Sequence, residues 1–325
     1  MENSNPMLSV FLVTYNHEAF IAQAIEGILK QKTNFSYDII IGEDCSTDNT
    51  RAIIRIFEQK YPNIIKPIYY EKNVGMIQNC VEVLKQCKGK YVAFLDGDDY
   101  WTDINKLQKQ VDFLEVNIDY SICCHDVKSL INNKLRPTYH WNLPETTDQD
   151  YLLKHGNQLI PLSVVFRNDT SIATFLAKFP NAPFGDFMMF VAISSYGKIK
   201  YLKQNMGVYR MHAGGIWSQQ SAVTNSKKYI NGLTLLLPHF ENQKKQYLIS
   251  LILSKLEAIL ILSNTAFEQT YVQDICSTLG INEATYQYIL QNATKESRTN
   301  KLIKYISAKE LRMVIFEKLK LKYWW

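Results

Sequence analysis

Four residues near the first third of the chain, Asp96-Gly97-Asp98-Asp99, concentrate more potential chemistry than any other stretch. They follow Tyr91 to Leu95, an apolar run of the kind that forms a buried strand. Carboxylates crowded at one strand end repel one another unless a cation or hydrogen-bond donors hold them. A hard divalent ion does so through oxygen ligands and recruits phosphates at the same time. Open α/β sheets place their ligands at the carboxyl ends of strands, which is where this cluster falls. The plainer reading is a solvated acidic turn, since Asp and Gly both favour turns. Two later residues could also act: Asp186, after Gly185, and His212, in Tyr209-Arg210-Met211-His212. Alone, Asp186 reads first as a helix-start residue and His212 as a structural histidine. Arg210 fits either an interior ion pair or a phosphate contact, and Tyr100 and Trp101 either stack on a ligand or pack the sheet edge.

The elements that must position these residues alternate in type. Ser9 to Val13 predicts a strand, and Phe20, Ile21, Ala24, Ile25, Ile28 and Leu29 then recur with helical spacing. Tyr37 to Gly42 reads as a second buried strand, with Ser46 and Asp48 offering capping oxygens to a helix carrying Ile53, Ile54 and Phe57. Ile68 to Tyr70 is a third strand, and Cys80, Val81, Leu84 and Cys87 line the next helix. Thr102 or Asp103 can cap a helix whose Leu107, Val111 and Leu114 face inward. A strand over Leu162 to Phe166, a helix near Ile172 to Phe179 and an apolar helix from Phe187 to Tyr196 follow. This alternation predicts an α/β fold: an open, mostly parallel sheet flanked by helices, with right-handed connections. Beyond about Ser221 helical segments dominate, so the expected domains are 1–220 and a mainly helical region, 221–325.

Of the 325 residues, 46% are hydrophobic and 21% charged, a globular composition. A net charge of +5 permits an anionic substrate or a membrane surface and does not demand nucleic acid. The six cysteines show no paired metal-ligand spacing and are expected reduced and packed, as in the cytoplasm. Met1 to Pro6 is polar and gives no sign of a secretory signal, and the apolar stretch Tyr247 to Leu262 is broken by Lys255 and Glu257. A soluble, cytoplasmic protein is therefore expected. Its basic last segment, 311–325, ends in Tyr323-Trp324-Trp325, which suits either peripheral contact with an anionic membrane or a packed helix.

The blocks SVFLVTYNHEAFIAQAIEGILKQ, IIIGEDCSTDNT, KGKYVAFLDGDDYW, FGDFMMFVAISSYGKIKYL and GVYRMHAGGIWS together resemble family 2 of the inverting glycosyltransferases, which have the GT-A fold. The resemblance covers roughly residues 7 to 218. It implies that Thr14 and Asp44, with Glu43 beside them, line the nucleotide, and that Asp96 and Asp98 form the Asp-x-Asp motif. Asp96 is then near the ribose and Asp98 on a divalent ion, Mn²⁺ or Mg²⁺. Asp186 matches the general base and His212 a histidine that in some relatives helps hold the metal or diphosphate. Tyr15, Asn16, Asn73 and Trp217 are expected among the nucleotide-sugar contacts, and Gly214-Gly215 as either a turn or a hinge. Two departures stand out: Gly185 where a second acidic residue is common, and Val13 where proline often precedes the threonine. The implied partners are a nucleoside-diphosphate sugar donor and a saccharide or lipid-linked saccharide acceptor in surface polysaccharide synthesis. A nucleotidyltransferase acting on sugar phosphates would need a Gly- and Lys-rich phosphate loop, which Thr14 to Phe20 lacks. A catalytically silent sugar-binding or scaffold protein would keep its role without Asp98 and Asp186.

Overall fold

The computed structural model describes residues 5–137, 143–215, 220–263 and 265–295, so Trp217 and the segment 311–325 lie outside the described residues. Ten strands form one mixed sheet: β1 (Leu8–Thr14), β2 (Tyr37–Glu43), β3 (Ile65–Tyr69), β4 (Tyr91–Asp96), β5 (Tyr100–Trp101), β6 (Tyr120–Ile131), β7 (Lys134–Pro137), β8 (Thr146–Thr147), β9 (Val165–Arg167) and β10 (Lys198–Met211). Their order is β3-β2-β1-β4-β9-β6-β10-β5, with β7 on β6 and β8 on β10. The long pairings, β1 with β2 and β4 and β6 with β10, are parallel; β9 joins the two halves antiparallel to β4 and β6.

β1, β2 and β4 are nearly continuous apolar runs because helices cover both faces of the sheet. On α1 (Ile21–Leu29) the buried stripe is Ile21, Ala24, Ile25 and Ile28, the helical spacing expected of a core-facing side. β3 begins at Ile65, before the expected Ile68, and accommodates Pro67 because it is the edge strand. The strand expected over Leu162 to Phe166 is displaced. Pro161 starts a 3₁₀ turn through Ser163, and the strand proper is β9.

The other helices of this part are α2 (Thr50–Lys60), α3 (Met76–Gln86), α4 (Lys106–Val116), α5 (Gln149–His155), α6 (Thr170–Leu176) and α7 (Asp186–Ile193). After them come α8 (Ala222–Leu236), α9 (Asn242–Leu262), α10 (Ala266–Thr278) and α11 (Glu283–Lys295), the helical region expected beyond Ser221. Ser221 caps α8, its hydroxyl accepting the Thr224 N–H at 3.1 Å. Contacts divide the chain into two compact units. One holds the sheet, through Leu152 and again from Asn157 to Met211; the other takes Leu153–Gly156 and resumes at His212. Among the described residues no helix is long and apolar enough to cross a membrane. All six cysteines are free thiols, and all but Cys45 are buried.

The entry into β4 depends on a close backbone crossing. The Ser9 hydroxyl accepts the N–H groups of Lys88 and Gly89 at 3.1 and 3.0 Å. A Cβ on Gly89 would stand 2.4 Å from the Ser9 nitrogen and 2.6 Å from the Leu8 carbonyl carbon, both backbone atoms. Gly89→Ala is therefore expected to force β1 and β4 apart and destabilise the chain by about 1–3 kcal/mol. Thermal unfolding should show a lower midpoint, and an unchanged one would contradict the crossing.

Candidate active site

Parallel register brings the expected acidic residues to one edge. Thr14 is level with Glu43 on β2, and Val13 with Asp96 on β4. Neighbouring strands lie about 4.8 Å apart, so the ends of β1, β2 and β4 present their side chains as one short row.

The loops leaving β1 and β2 are laced together. Asn16, at φ 55°, accepts the Thr47 N–H at 2.8 Å through its side-chain oxygen, while its own N–H donates to the Ser46 hydroxyl at 2.9 Å. Asp48 accepts the N–H of Glu18 at 3.0 Å, and Glu18 in turn accepts the N–H of Asn49 at 2.9 Å. Asp48 also accepts the first-turn N–H of Thr50 at 2.9 Å, whereas Ser46, read from sequence as a cap, serves this lacing. Asn16 is thus a brace, and Tyr15 remains outward and 42% exposed.

Glu43 is fully buried and has no surface to offer a nucleotide. One of its oxygens accepts the Ser46 N–H at 2.6 Å, and the other pairs with the Arg51 guanidinium. Asp44 takes the N–H groups of Val74 and Gly75 at 2.7 and 3.0 Å, and the Asn73 amide donates to its carbonyl at 3.0 Å. Asp44 and Asn73 therefore fold the 73–75 segment over the end of β2. Burial raises the Asp44 carboxyl above its ordinary range, and the two backbone donors oppose that rise.

The turn after β4 is built around the missing side chain of Gly97. A Cβ there would lie 2.5 Å from Thr14 Oγ1 and 2.9 Å from His17 Nδ1, so the turn packs directly on these two groups. Thr14 Oγ1 and His17 Nδ1 are 3.2 Å apart, and His17 Nε2 is 3.9 Å from an Asp98 carboxylate oxygen. Arg210, on β10, holds the turn from behind. Its guanidinium donates to the Asp98 carbonyl and the Gln23 side chain, and it lies against the rings of Tyr100 and Phe20, 4.5 and 5.0 Å from their centroids. The Arg210 N–H donates to Asp99 at 2.8 Å, while the other Asp99 oxygen is buried with no hydrogen-bond partner among the described residues. Trp101 packs: it is buried, and its indole N–H donates to the Leu162 carbonyl at 2.8 Å.

Asp186 joins this group from the far side of the chain. It is the first residue of α7; Gly185 occupies the cap position, and no side chain caps the helix. Burial raises the Asp96 carboxyl well above its ordinary range, and the negative charges of Asp98 and Asp186 raise it further. The buried Cys80 thiol is pushed up by burial and then by the charges of Asp96, Asp186 and Asp44. These four carboxylates therefore share one electrostatic neighbourhood. An Asp186 oxygen accepts the side-chain N–H of Asn157 at 2.8 Å.

Among the described residues, no three His, Cys, Asp or Glu side chains form a ready-made metal cage. The donor set suits a different mode of cation binding: Mg²⁺ and related ions use one or two carboxylates plus substrate phosphates. Asp98, partly exposed at 18%, fits that role. His212 lies in the second unit, where its Nδ1 accepts the Gly214 N–H at 3.1 Å and its carbonyl accepts the Gly215 N–H at 3.2 Å. Sequence reasoning did not single out His17 or Asn157. A polar side chain three residues past the end of β1 was the available signal for His17; Asn157 had none.

The chain matches the family model Glycosyl transferase family 2 over residues 9–172. It is 34% identical over 226 residues to an uncharacterised protein of Mycobacterium tuberculosis, a match spanning 68% of this chain and 63% of that protein's length. It is 32% identical over 215 residues to the Escherichia coli UDP-Glc:alpha-D-GlcNAc-diphosphoundecaprenol beta-1,3-glucosyltransferase WfaP, spanning 65% of this chain and 79% of WfaP. In fold it is similar to S. aureus TarS 1-349, solved in complex with UDP-GlcNAc, with a TM-score of 0.61 at 18% identity over 98% of this chain and 93% of that one. The chain belongs to glycosyl transferase family 2.

Proposed function

We propose that this chain moves one sugar from a nucleoside-diphosphate donor to an acceptor hydroxyl, inverting the anomeric configuration, in the assembly of a surface polysaccharide. The observation that carries the reading is the convergence of Asp96, Asp98 and Asp186 at the carboxyl edge of β1 and β4. The activity for which WfaP is named, glucose transfer onto a lipid-diphosphate-linked sugar, supports a lipid-linked saccharide as acceptor.

In this reading the donor nucleotide lies along the ends of β1 and β2, against the laced loops, Tyr15 and the segment folded by Asp44. The diphosphate faces Asp98. Asp98 would hold a Mg²⁺ or Mn²⁺ there, and the ion would supply Lewis-acid stabilisation of the leaving group. The contribution expected of His212 rests on the family resemblance, so Asp98 is the ligand taken from the geometry. Asp186 accepts the proton of the acceptor hydroxyl. The freed oxygen forms its bond to the anomeric carbon from the face opposite the diphosphate, whose bond to that carbon breaks. The products are the glycosylated acceptor and a nucleoside diphosphate, and no covalent intermediate is needed.

Asp98→Asn is expected to fold normally and to lose the Mn²⁺-dependent part of the thermal stabilisation given by UDP or GDP. Full retention of that stabilisation would remove Asp98 from the cation site. Asp186→Asn is expected to keep the nucleotide-induced stabilisation while nucleoside diphosphate release from the donor falls about 10²- to 10⁴-fold. A fall of less than about tenfold would assign the base to another residue.

A further inference from the structure

We propose that Asn157 is the positioning residue for the general base, holding the Asp186 carboxylate in the orientation that receives the acceptor proton. The inference rests on the reading of Asp186 as that base and adds a second residue to it. Asn157 Nδ2 donates to Asp186 Oδ2 at 2.8 Å. The amide is itself held: its Oδ1 accepts the Leu159 N–H, two residues on, at 3.2 Å. These two bonds fix which end of the amide faces the carboxylate. Rotating it by half a turn would set Oδ1 against the Asp186 oxygen and the NH₂ against an N–H, two repulsive contacts in place of two bonds.

The support under Asn157 is also directed at α7. Gly156, at φ 80°, turns the chain sharply out of α5. At the other end of α5, the Gln149 side chain donates to the Val191 carbonyl of α7 at 2.7 Å. The α5 segment and the residue after its turn therefore hold α7 at two places, and the second is the Asp186 carboxylate.

The chemical type of the donor suits a base. A carboxylate that must accept a proton needs a partner that directs its oxygens without taking its charge, and Asn157 is such a partner at 2.8 Å. Lys or Arg in that position would form an ion pair and make the carboxylate a poor proton acceptor. A neutral amide stabilises the anion, fixes its direction and leaves it basic.

Three variants of the full chain test this, with a nucleoside-diphosphate sugar and release of the diphosphate as readout. Asn157→Ala is expected to lower kcat about ten- to a hundredfold while donor KM and the UDP–Mn²⁺ thermal shift stay within about twofold. Asn157→Asp, nearly the same in volume, is expected to lower kcat at least as far because it sets carboxylate against carboxylate. In an Asp186→Asn background, Asn157→Ala is expected to cost no more than about twofold further, since the two residues act as one unit. Wild-type kcat in Asn157→Ala or Asn157→Asp, with Asp186→Asn inactive, would overturn the positioning role and leave the base reading intact. A raised KM and lowered thermal midpoint with unchanged kcat would likewise reduce Asn157 to a structural residue. Full activity of Asp186→Asn would remove the base and its positioning residue together.

Discussion

Like charges must be gathered at one sheet edge, and the rest of this structure serves that requirement. Two carboxylates about 4 Å apart repel by about 4 kcal/mol at the effective dielectric of a protein surface. Asp96, Asp98, Asp99 and Asp186 therefore cannot all be ionised near one another without compensation. Part of the compensation is built in. Arg210 holds the turn from behind through the Asp98 carbonyl and the Asp99 carboxylate. Burial and neighbouring negative charge push Asp96 and Asp99 well above the ordinary carboxylate range, which marks the crowding that is left uncompensated. On the proposed reading, a cation brought with the donor diphosphate would supply the rest.

The sheet makes this crowding geometrically unavoidable. β1, β2 and β4 are parallel neighbours, so a residue at the carboxyl end of one is level with the ends of the others. The loops beyond those ends are then pinned by short side-chain to backbone bonds, among them Asn16 to Thr47, Asp48 to Glu18 and Asp44 to Val74 and Gly75. Several polar residues next to the site spend their hydrogen-bonding capacity on the scaffold. In the proposed function, Tyr15, Asp98 and Asp186 meet the ligands on a platform that these other residues hold.

Much of this was legible from residue order. β1, β2 and β4 are nearly continuous apolar runs, and the turn residues after β2 and β4 include Asp44, Asp98 and Asp99, so both the strands and the edge they form could be read directly. β6 and β10 escaped because their paired halves carry His125, Asp126, Lys128, Lys200, Lys203 and Asn205. β10 also shifts register against β6 between Leu202 and Gly207, which destroys any simple alternation. Glu43, adjacent to Asp44 and of the same charge, could not be told from a ligand contact until its burial against Arg51 was seen. Arg210 is 112 positions from Asp98, and no local pattern announces that contact. Asp186 looked like a helix cap because it opens a helix, but Gly185 holds the cap position, and the charge of Asp186 raises the buried Asp96 carboxyl.

The central claim is that a cation and a diphosphate meet at Asp98, within the neighbourhood of Asp186. Diffraction from crystals soaked with UDP and Mn²⁺, recorded so that manganese scatters anomalously, tests it most directly. The account predicts one anomalous peak within coordination reach of an Asp98 carboxylate oxygen and of the UDP phosphates, on the side of the turn that faces Asp186. Nucleotide and manganese bound away from the ends of β1 and β4, or a peak with Asp98 uncoordinated, would contradict it.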